Sequence, residues 1–96
     1  MTEINGNLEL EKDTEYGDNL LVHGNITGKD GKRYNLIVRG DINAWDINAV
    51  DIDAWDINAS FILCATLKQK EGSKLLARHI IRNRSSYEQK DLSKSD

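Results

Sequence analysis

A five-residue period between Gly40 and Leu63 is the feature that most constrains this chain of 96 residues. Isoleucine recurs at Ile42, Ile47, Ile52, Ile57 and Ile62. Alanine follows two places after each of the first four, at Ala44, Ala49, Ala54 and Ala59. In a helix, a step of five rotates about 140° beyond a full turn, so the isoleucines form no apolar stripe. In a straight strand, an odd step places successive isoleucines on opposite faces. The chain must therefore bend once per repeat.

A bent chain can direct every isoleucine to the same interior. Within each Ile-Asn-Ala, alternation points Ile and Ala to one side and the middle residue to the other. The next two residues, such as Trp45-Asp46, then turn a corner. Short sides joined by regular corners make a solenoid with a narrow core. The sequence predicts an all-β fold, a short β-solenoid over residues 1–84 with a polar tail over residues 85–96.

An aspartate precedes each of the first four isoleucines, which places it at a corner. These residues are Asp41, Asp46, Asp51 and Asp56. Asp side chains accept hydrogen bonds from backbone N–H groups close in sequence, so one interpretation is that they hold the corners locally. The other is that they present charge. Asp53 stands where the other repeats have Asn43, Asn48 or Asn58, and we expect it to point outward.

The run GDINAWDINAVDIDAWDI, residues 40–57, resembles the GDINAWDINAWDI-type repeats of small bacterial and phage proteins. Those repeats are similar to the pentapeptide-repeat family. The resemblance implies a right-handed quadrilateral β-helix with four pentads per coil. It also implies a functional precedent, since members of that family resemble DNA and bind gyrase.

A second internal repeat relates NLLVHGNITG (19–28) to NLIVRGDINA (35–44) at an offset of sixteen. Tandem similarity favours two stacked parallel rungs. The intervening Asp30-Gly31 is a hairpin signal and supports an antiparallel alternative. Gly24 and Gly40 occupy equivalent places, and we expect both at corners that need an unusual backbone conformation.

The last third of the chain is less regular. FILCAT (61–66) predicts a buried strand with Cys64 in the core. Residues 67–84 fit two strands around a turn at Glu71-Gly72, which we favour, or one helix with Leu75 on its apolar face. A capping box at 85–88 predicts one helical turn before a disordered end.

Composition narrows the function classes. The net charge of −3 combines an acidic part, residues 1–67, with a basic part, residues 68–96. A single cysteine and an N-terminus unlike a signal peptide predict a cytoplasmic protein. The resemblance implies that the cell is a bacterial or phage-infected one. His23 and His79 stand alone, without metal-ligand spacing, and no nucleophile or phosphate-loop motif is present. We therefore predict a protein that is not an enzyme and needs no cofactor.

Two surfaces are candidates for binding. The first combines the acids with two corner tryptophans: Asp41, Asp46, Asp51, Asp53, Asp56, Trp45 and Trp55. The tryptophans either anchor a partner or pack beneath neighbouring layers. The second is the basic set Lys68, Lys70, Lys74, Arg78, Arg82 and Arg84.

These surfaces suggest three functions. The first is an acidic mimic of nucleic acid that inhibits a nucleic-acid-handling enzyme, of the phage anti-defence, anti-CRISPR or gyrase-binding type. The second is a self-assembling or dimeric solenoid that pairs through open coil ends. The third is a nucleic-acid binder that uses the basic set. We expect a protein partner, no membrane association, and direct nucleic-acid binding only as the weaker alternative.

Overall fold

The computed structural model describes residues 1–82, which form a solenoid of parallel strands with three faces. Face 1 contains β1 (Thr2–Ile4), β4 (Leu20–Val22), β7 (Ile42–Asn43), β10 (Ile57–Asn58) and β13 (Leu75–Leu76). Face 2 contains β2 (Leu8–Leu10), β5 (Ile26–Gly28), β8 (Asp46–Asn48), β11 (Phe61–Cys64) and β14 (His79–Arg82). Face 3 contains β3 (Thr14–Tyr16), β6 (Leu36–Val38), β9 (Asp51–Ala54) and β12 (Thr66–Gln69). The chain thus completes four coils, and β13 and β14 begin a fifth.

The all-β solenoid is confirmed, but the four-sided cross-section implied by the resemblance is wrong. Three sheets surround the core, and Ile42 pairs with Ile57, fifteen residues later. Three pentads therefore close one coil. Each side contributes one isoleucine and one alanine, and this small volume fills a triangular interior. A square interior of the same side length would be wider and would leave voids that protein cores do not tolerate.

The core is a continuous apolar column. Ile47, Ile52 and Ile62 are completely buried, and the alanines beside them are nearly so. Cys64 is buried in the same column, as predicted. Among residues 1–81, no polar or charged side chain is buried. The alternation within each side thus separates an apolar interior from a polar surface.

The first half of the chain pairs in parallel throughout, which excludes the hairpin, but segments 19–28 and 35–44 do not stack on each other at the predicted offset of sixteen residues. Leu20 pairs with Ile42 on face 1, whereas Leu36 pairs with Ile52 on face 3. All sides share one local pattern, so segments on different faces also look alike. A 3-10 turn at Lys29–Gly31 lengthens the second coil and shifts its register.

The segment after Leu67 is strand, as favoured, and the helix alternative is wrong. β13 pairs with β10 and β14 pairs with β11, both in parallel. A turn at Gly72, whose φ of 85° suits glycine, separates β12 from β13. Residues 83–84 of the predicted solenoid and the whole predicted tail, with its helical turn, lie outside the described residues.

Candidate partner-binding surface

Corner side chains connect one coil to the next. The Asn19 Oδ1 accepts a hydrogen bond from the Asp41 N–H at 2.8 Å, and the Asp41 Oδ1 accepts one from the Asp56 N–H at 3.0 Å. The Asp56 Oδ1 then accepts from the Lys74 N–H at 2.8 Å. Two further ladders run through Asn7, Asn25 and Asp46, and through Asp13, Asn35 and Asp51. These side chains join residues far apart in sequence, so the prediction of local corner capping is wrong.

Asp46 and Asp51 are the last members of their ladders. The Phe61 N–H above Asp46 points to the Trp45 carbonyl at 3.4 Å, and the Thr66 N–H above Asp51 points to the Val50 carbonyl at 3.3 Å. Within residues 1–82, no backbone N–H donates to either carboxylate. These two aspartates therefore accept nothing at their corners, whereas Asp41 and Asp56 each hold the next coil.

Asp53 lies in the middle of β9 and points outward on face 3, as expected. Its pairing neighbours are Ile37 on the preceding coil and Lys68 on the following one. The corresponding outward position of β7 and β10 is an asparagine. The backbone at this position therefore does not require a carboxylate.

Four of the five candidate aspartates surround the third coil, and Asp56 begins the fourth, so the five do not form a line. Asp41 and Asp56 share the corner between faces 3 and 1, Asp46 lies between faces 1 and 2, and Asp51 and Asp53 lie on face 3. Only Asp41 and Asp56 stack directly, one strand spacing of roughly 4.8 Å apart. The structure thus brings the acids to two successive levels of the solenoid and distributes them over its sides.

The acids of the first coil differ because bases neutralise most of them. Glu3 contacts the His23 Nε2 at 2.7 Å, Glu11 contacts the Lys29 Nζ at 3.8 Å, and Glu15 pairs with Arg39. The N-terminal ammonium donates a hydrogen bond to Asp18, which lowers the pKa of that carboxyl.

Within the described part of the chain, no such pairing occurs for the five candidate aspartates. Among the described side chains, none of Asp41, Asp46, Asp51, Asp53 and Asp56 has a cation within 4 Å. Their negative charge is therefore available to a partner.

Both tryptophans are on the surface, so the alternative in which they pack under other layers is wrong. Trp45 lies at the corner between faces 1 and 2 and is 61% exposed. Trp55 lies at the corner between faces 3 and 1 and is 41% exposed. Exposed tryptophans are unusual on a protein surface and are enriched at binding hot spots.

The glycine beneath each tryptophan is required by close packing, not by an unusual backbone angle. The Trp45 N–H donates to the Gly24 carbonyl, and the Trp55 N–H donates to the Gly40 carbonyl. A Cβ on Gly24 would lie 2.5 Å from the Asn7 Oδ1, a member of the ladder. Neither glycine has a positive φ. The prediction of corner positions was correct, and the predicted reason was wrong.

The basic residues surround the last coils and do not form one face. Lys68 lies on face 3, Lys70 and Lys74 flank the corner between faces 3 and 1, and Arg78 follows β13. The Lys70 Nζ lies 4.3 Å from the centre of the Trp55 ring, a cation–π contact. Arg82 ends β14, and Arg84 lies outside the described residues.

Other chemistry has little support in residues 1–82. No group of His, Cys, Asp and Glu in this range could hold a metal ion. His79 makes a tilted ring contact with Phe61. No helix in the described range has the length and apolarity needed to cross a membrane. Searches of family models, curated proteins and solved structures each found no match to this chain.

Proposed function

We propose that this protein is a non-enzymatic binding module whose third coil engages a basic surface on a protein partner. The fold is a solenoid, an architecture compatible with protein binding or a structural role. The observation that carries the proposal is the difference in charge pairing between coils. Bases pair with most acids of the first coil, whereas none of the five candidate aspartates has a cation within 4 Å among the described side chains.

The partner class we favour is a nucleic-acid-handling enzyme, which the protein would inhibit by occupying its basic cleft. Such clefts bind nucleic acid mainly through phosphate charge, so a carboxylate-bearing surface can compete for them. Acids on all sides of one coil suit a cleft that encloses the solenoid better than a flat surface. An inhibitor of the phage anti-defence, anti-CRISPR or gyrase-binding type would work in this way.

The test compares two charge-reduced variants as immobilised baits in extract from the native host. The Asp46→Asn, Asp51→Asn, Asp53→Asn variant removes carboxylates that hold no coil in place. The Asp41→Asn, Asp56→Asn variant removes charge but keeps an oxygen for each ladder bond, so it is the matched control. We expect a nucleic-acid-handling enzyme bound by wild type, lost by the triple variant, and displaced by added duplex DNA.

Salt then separates charge recognition from apolar binding. Affinity for the purified partner should fall as salt rises, because exposed charges are screened. Inhibition of the partner's activity should likewise weaken as salt rises and should be lost in the triple variant. Equal binding by wild type and the triple variant at low salt would remove the mimic hypothesis.

End-to-end self-assembly is the second candidate. Strands β1, β2 and β3 each pair on one side only within the described structure. The central residue of each is a glutamate, namely Glu3, Glu9 and Glu15. Charge on an edge strand discourages pairing with another chain, which places this candidate second. Sedimentation at increasing concentration tests it, because assembly would raise the sedimentation coefficient.

A further inference from the structure

The chain contains two copies of Ala-Trp-Asp-Ile-Asn-Ala, residues 44–49 and 54–59. They occupy two different corners of the same solenoid, and both tryptophans lie above a glycine. The six residues are identical, so any difference between the two corners comes from their neighbours. One copy therefore serves as an internal reference for the other.

At the corner between faces 3 and 1, the chain itself covers the Trp-Asp unit. The Lys70 ammonium lies over the Trp55 ring at 4.3 Å, and the Lys74 N–H donates to the Asp56 Oδ1 at 2.8 Å. The Gln69 Nε2 holds this turn in place by donating to the carbonyls of Trp55 and Lys74, each at 2.9 Å. Here the indole has a cation and the carboxylate has a donor.

At the corner between faces 1 and 2, neither contact is present in the described structure. Phe61 pairs with Asp46, which puts Ser60 beside Trp45, the position that Lys70 takes beside Trp55. Serine carries no charge. Trp45 is accordingly the more exposed indole. The Asp46 carboxylate accepts no hydrogen bond from a described backbone N–H. Arg78 is one coil further along, where its N–H donates to the Ser60 carbonyl.

We propose that Trp45 and Asp46 bind a basic side chain of a partner protein, as Lys70 and Lys74 fill the equivalent corner within the chain. The ammonium or guanidinium group packs against the indole face. The carboxylate forms an ion pair with this group and accepts a hydrogen bond from one of its N–H groups. Arginine suits the site best because its planar group can stack and donate at once. This inference rests on the proposed basic partner and identifies where that partner is anchored.

The first experiment uses capped hexa-arginine as the probe, with hexalysine and hexaglutamate for comparison. Trp55→Phe leaves Trp45 as the one indole, and Trp45→Phe leaves Trp55. Hexa-arginine should change the emission of Trp45 at lower concentration than that of Trp55, which Lys70 already covers. Hexalysine should act more weakly, and hexaglutamate should have no effect. Equal responses of the two indoles would overturn the proposal.

The second experiment exchanges the neighbours of the two indoles. Ser60→Lys supplies Trp45 with its own cation and should weaken hexa-arginine binding about three- to fivefold, the size of a surface cation–π contact. Lys70→Ser uncovers Trp55 and should make its emission respond to the peptide. Lys70→Met is the control for removal of the charge alone, because it keeps an aliphatic chain beside the Trp55 ring. If Ser60→Lys binds as wild type does, Trp45 is not the anchor.

Two outcomes separate this inference from the proposed function. Loss of binding in the triple aspartate variant, with Ser60→Lys unchanged, would retain the acidic surface and refute the anchor. A Trp45 response that is lost in Asp46→Asn, with no basic enzyme captured from extract, would retain the anchor and refute the mimic.

Discussion

The third coil and the start of the fifth coil have similar strands but very different interiors. In the third coil, Ile42, Ile47 and Ile52 are at most 1% exposed. In the fifth, Leu75 and Ile80 are half-buried although they point inward and pair with buried isoleucines. Leu76, which points outward, is 63% exposed. The third coil has a coil on each side, whereas the described part of the fifth has one neighbour.

Burial in this solenoid therefore comes from stacking. A coil of fifteen residues cannot bury its own apolar side, because each inward side chain is covered by the coils above and below it. Position along the axis should thus decide what a substitution costs, more than residue type does.

The largest expected effect is the loss of a central isoleucine. Ile52→Ala should reduce the free energy of unfolding by about 2–5 kcal/mol, because it removes burial and leaves a cavity. Leu75→Ala, at an inward position at the end of face 1, should cost only about 1 kcal/mol, because a coil covers it on one side only in the described structure. Denaturant unfolding followed by circular dichroism measures both. Equal losses would contradict the dependence on position.

A methyl group at a corner glycine should have the next largest effect. A Cβ on Gly40 would lie 2.8 Å from the Asn19 backbone nitrogen and would overlap the Asn19 Oδ1. Gly40→Ala should therefore cost about 1–3 kcal/mol, the usual cost of overpacking. Gly17→Ala is the matched control, since its Cβ would meet no atom within 4 Å. If the melting temperature falls equally in Gly40→Ala and Gly17→Ala, the close contact between Gly40 and Asn19 does not limit the size of the corner residue.

Removing one ladder acceptor should cost less. Asp41→Ala leaves the Asp56 N–H without its partner and should lower stability by about 1 kcal/mol. Asp41→Asn keeps an oxygen in place and should cost about half of that or less. Unfolding of the two variants at matched pH gives the comparison. If asparagine is as damaging as alanine, charge and not the hydrogen bond holds the coils together.

The smallest effect on stability is expected at Asp53. Asp53→Asn should change the free energy of unfolding by less than about 0.5 kcal/mol, because equivalent positions already carry asparagine. Binding to a purified basic partner should nevertheless weaken, and the loss should be larger at low salt. A large destabilisation without any loss of binding would assign Asp53 to the fold instead of the surface.

Much of the site was predictable one residue at a time. Alternation correctly placed Ile52 inward and Asp53 outward. The ladder was missed, although its signal is visible: most sides begin with Asn or Asp, as at Asn7, Asn19 and Asn35. What such a residue contacts depends on the coil above it, and so Asp41 holds a backbone N–H while Asp46 does not.

The sequence by itself determined that residues 40–63 bend every five residues, with Ile and Ala inside and polar residues outside, because alternation and turn chemistry act over a few residues. Only the tertiary structure decided that three sides close a coil, that Leu20 stacks on Ile42 across twenty-two residues, and that Lys70 covers Trp55 while Trp45 stays open. These outcomes depend on corner angles summed around a coil and on which residues meet between coils. Neither quantity is local in sequence, and hence identical Ala-Trp-Asp-Ile-Asn-Ala segments reach different surroundings.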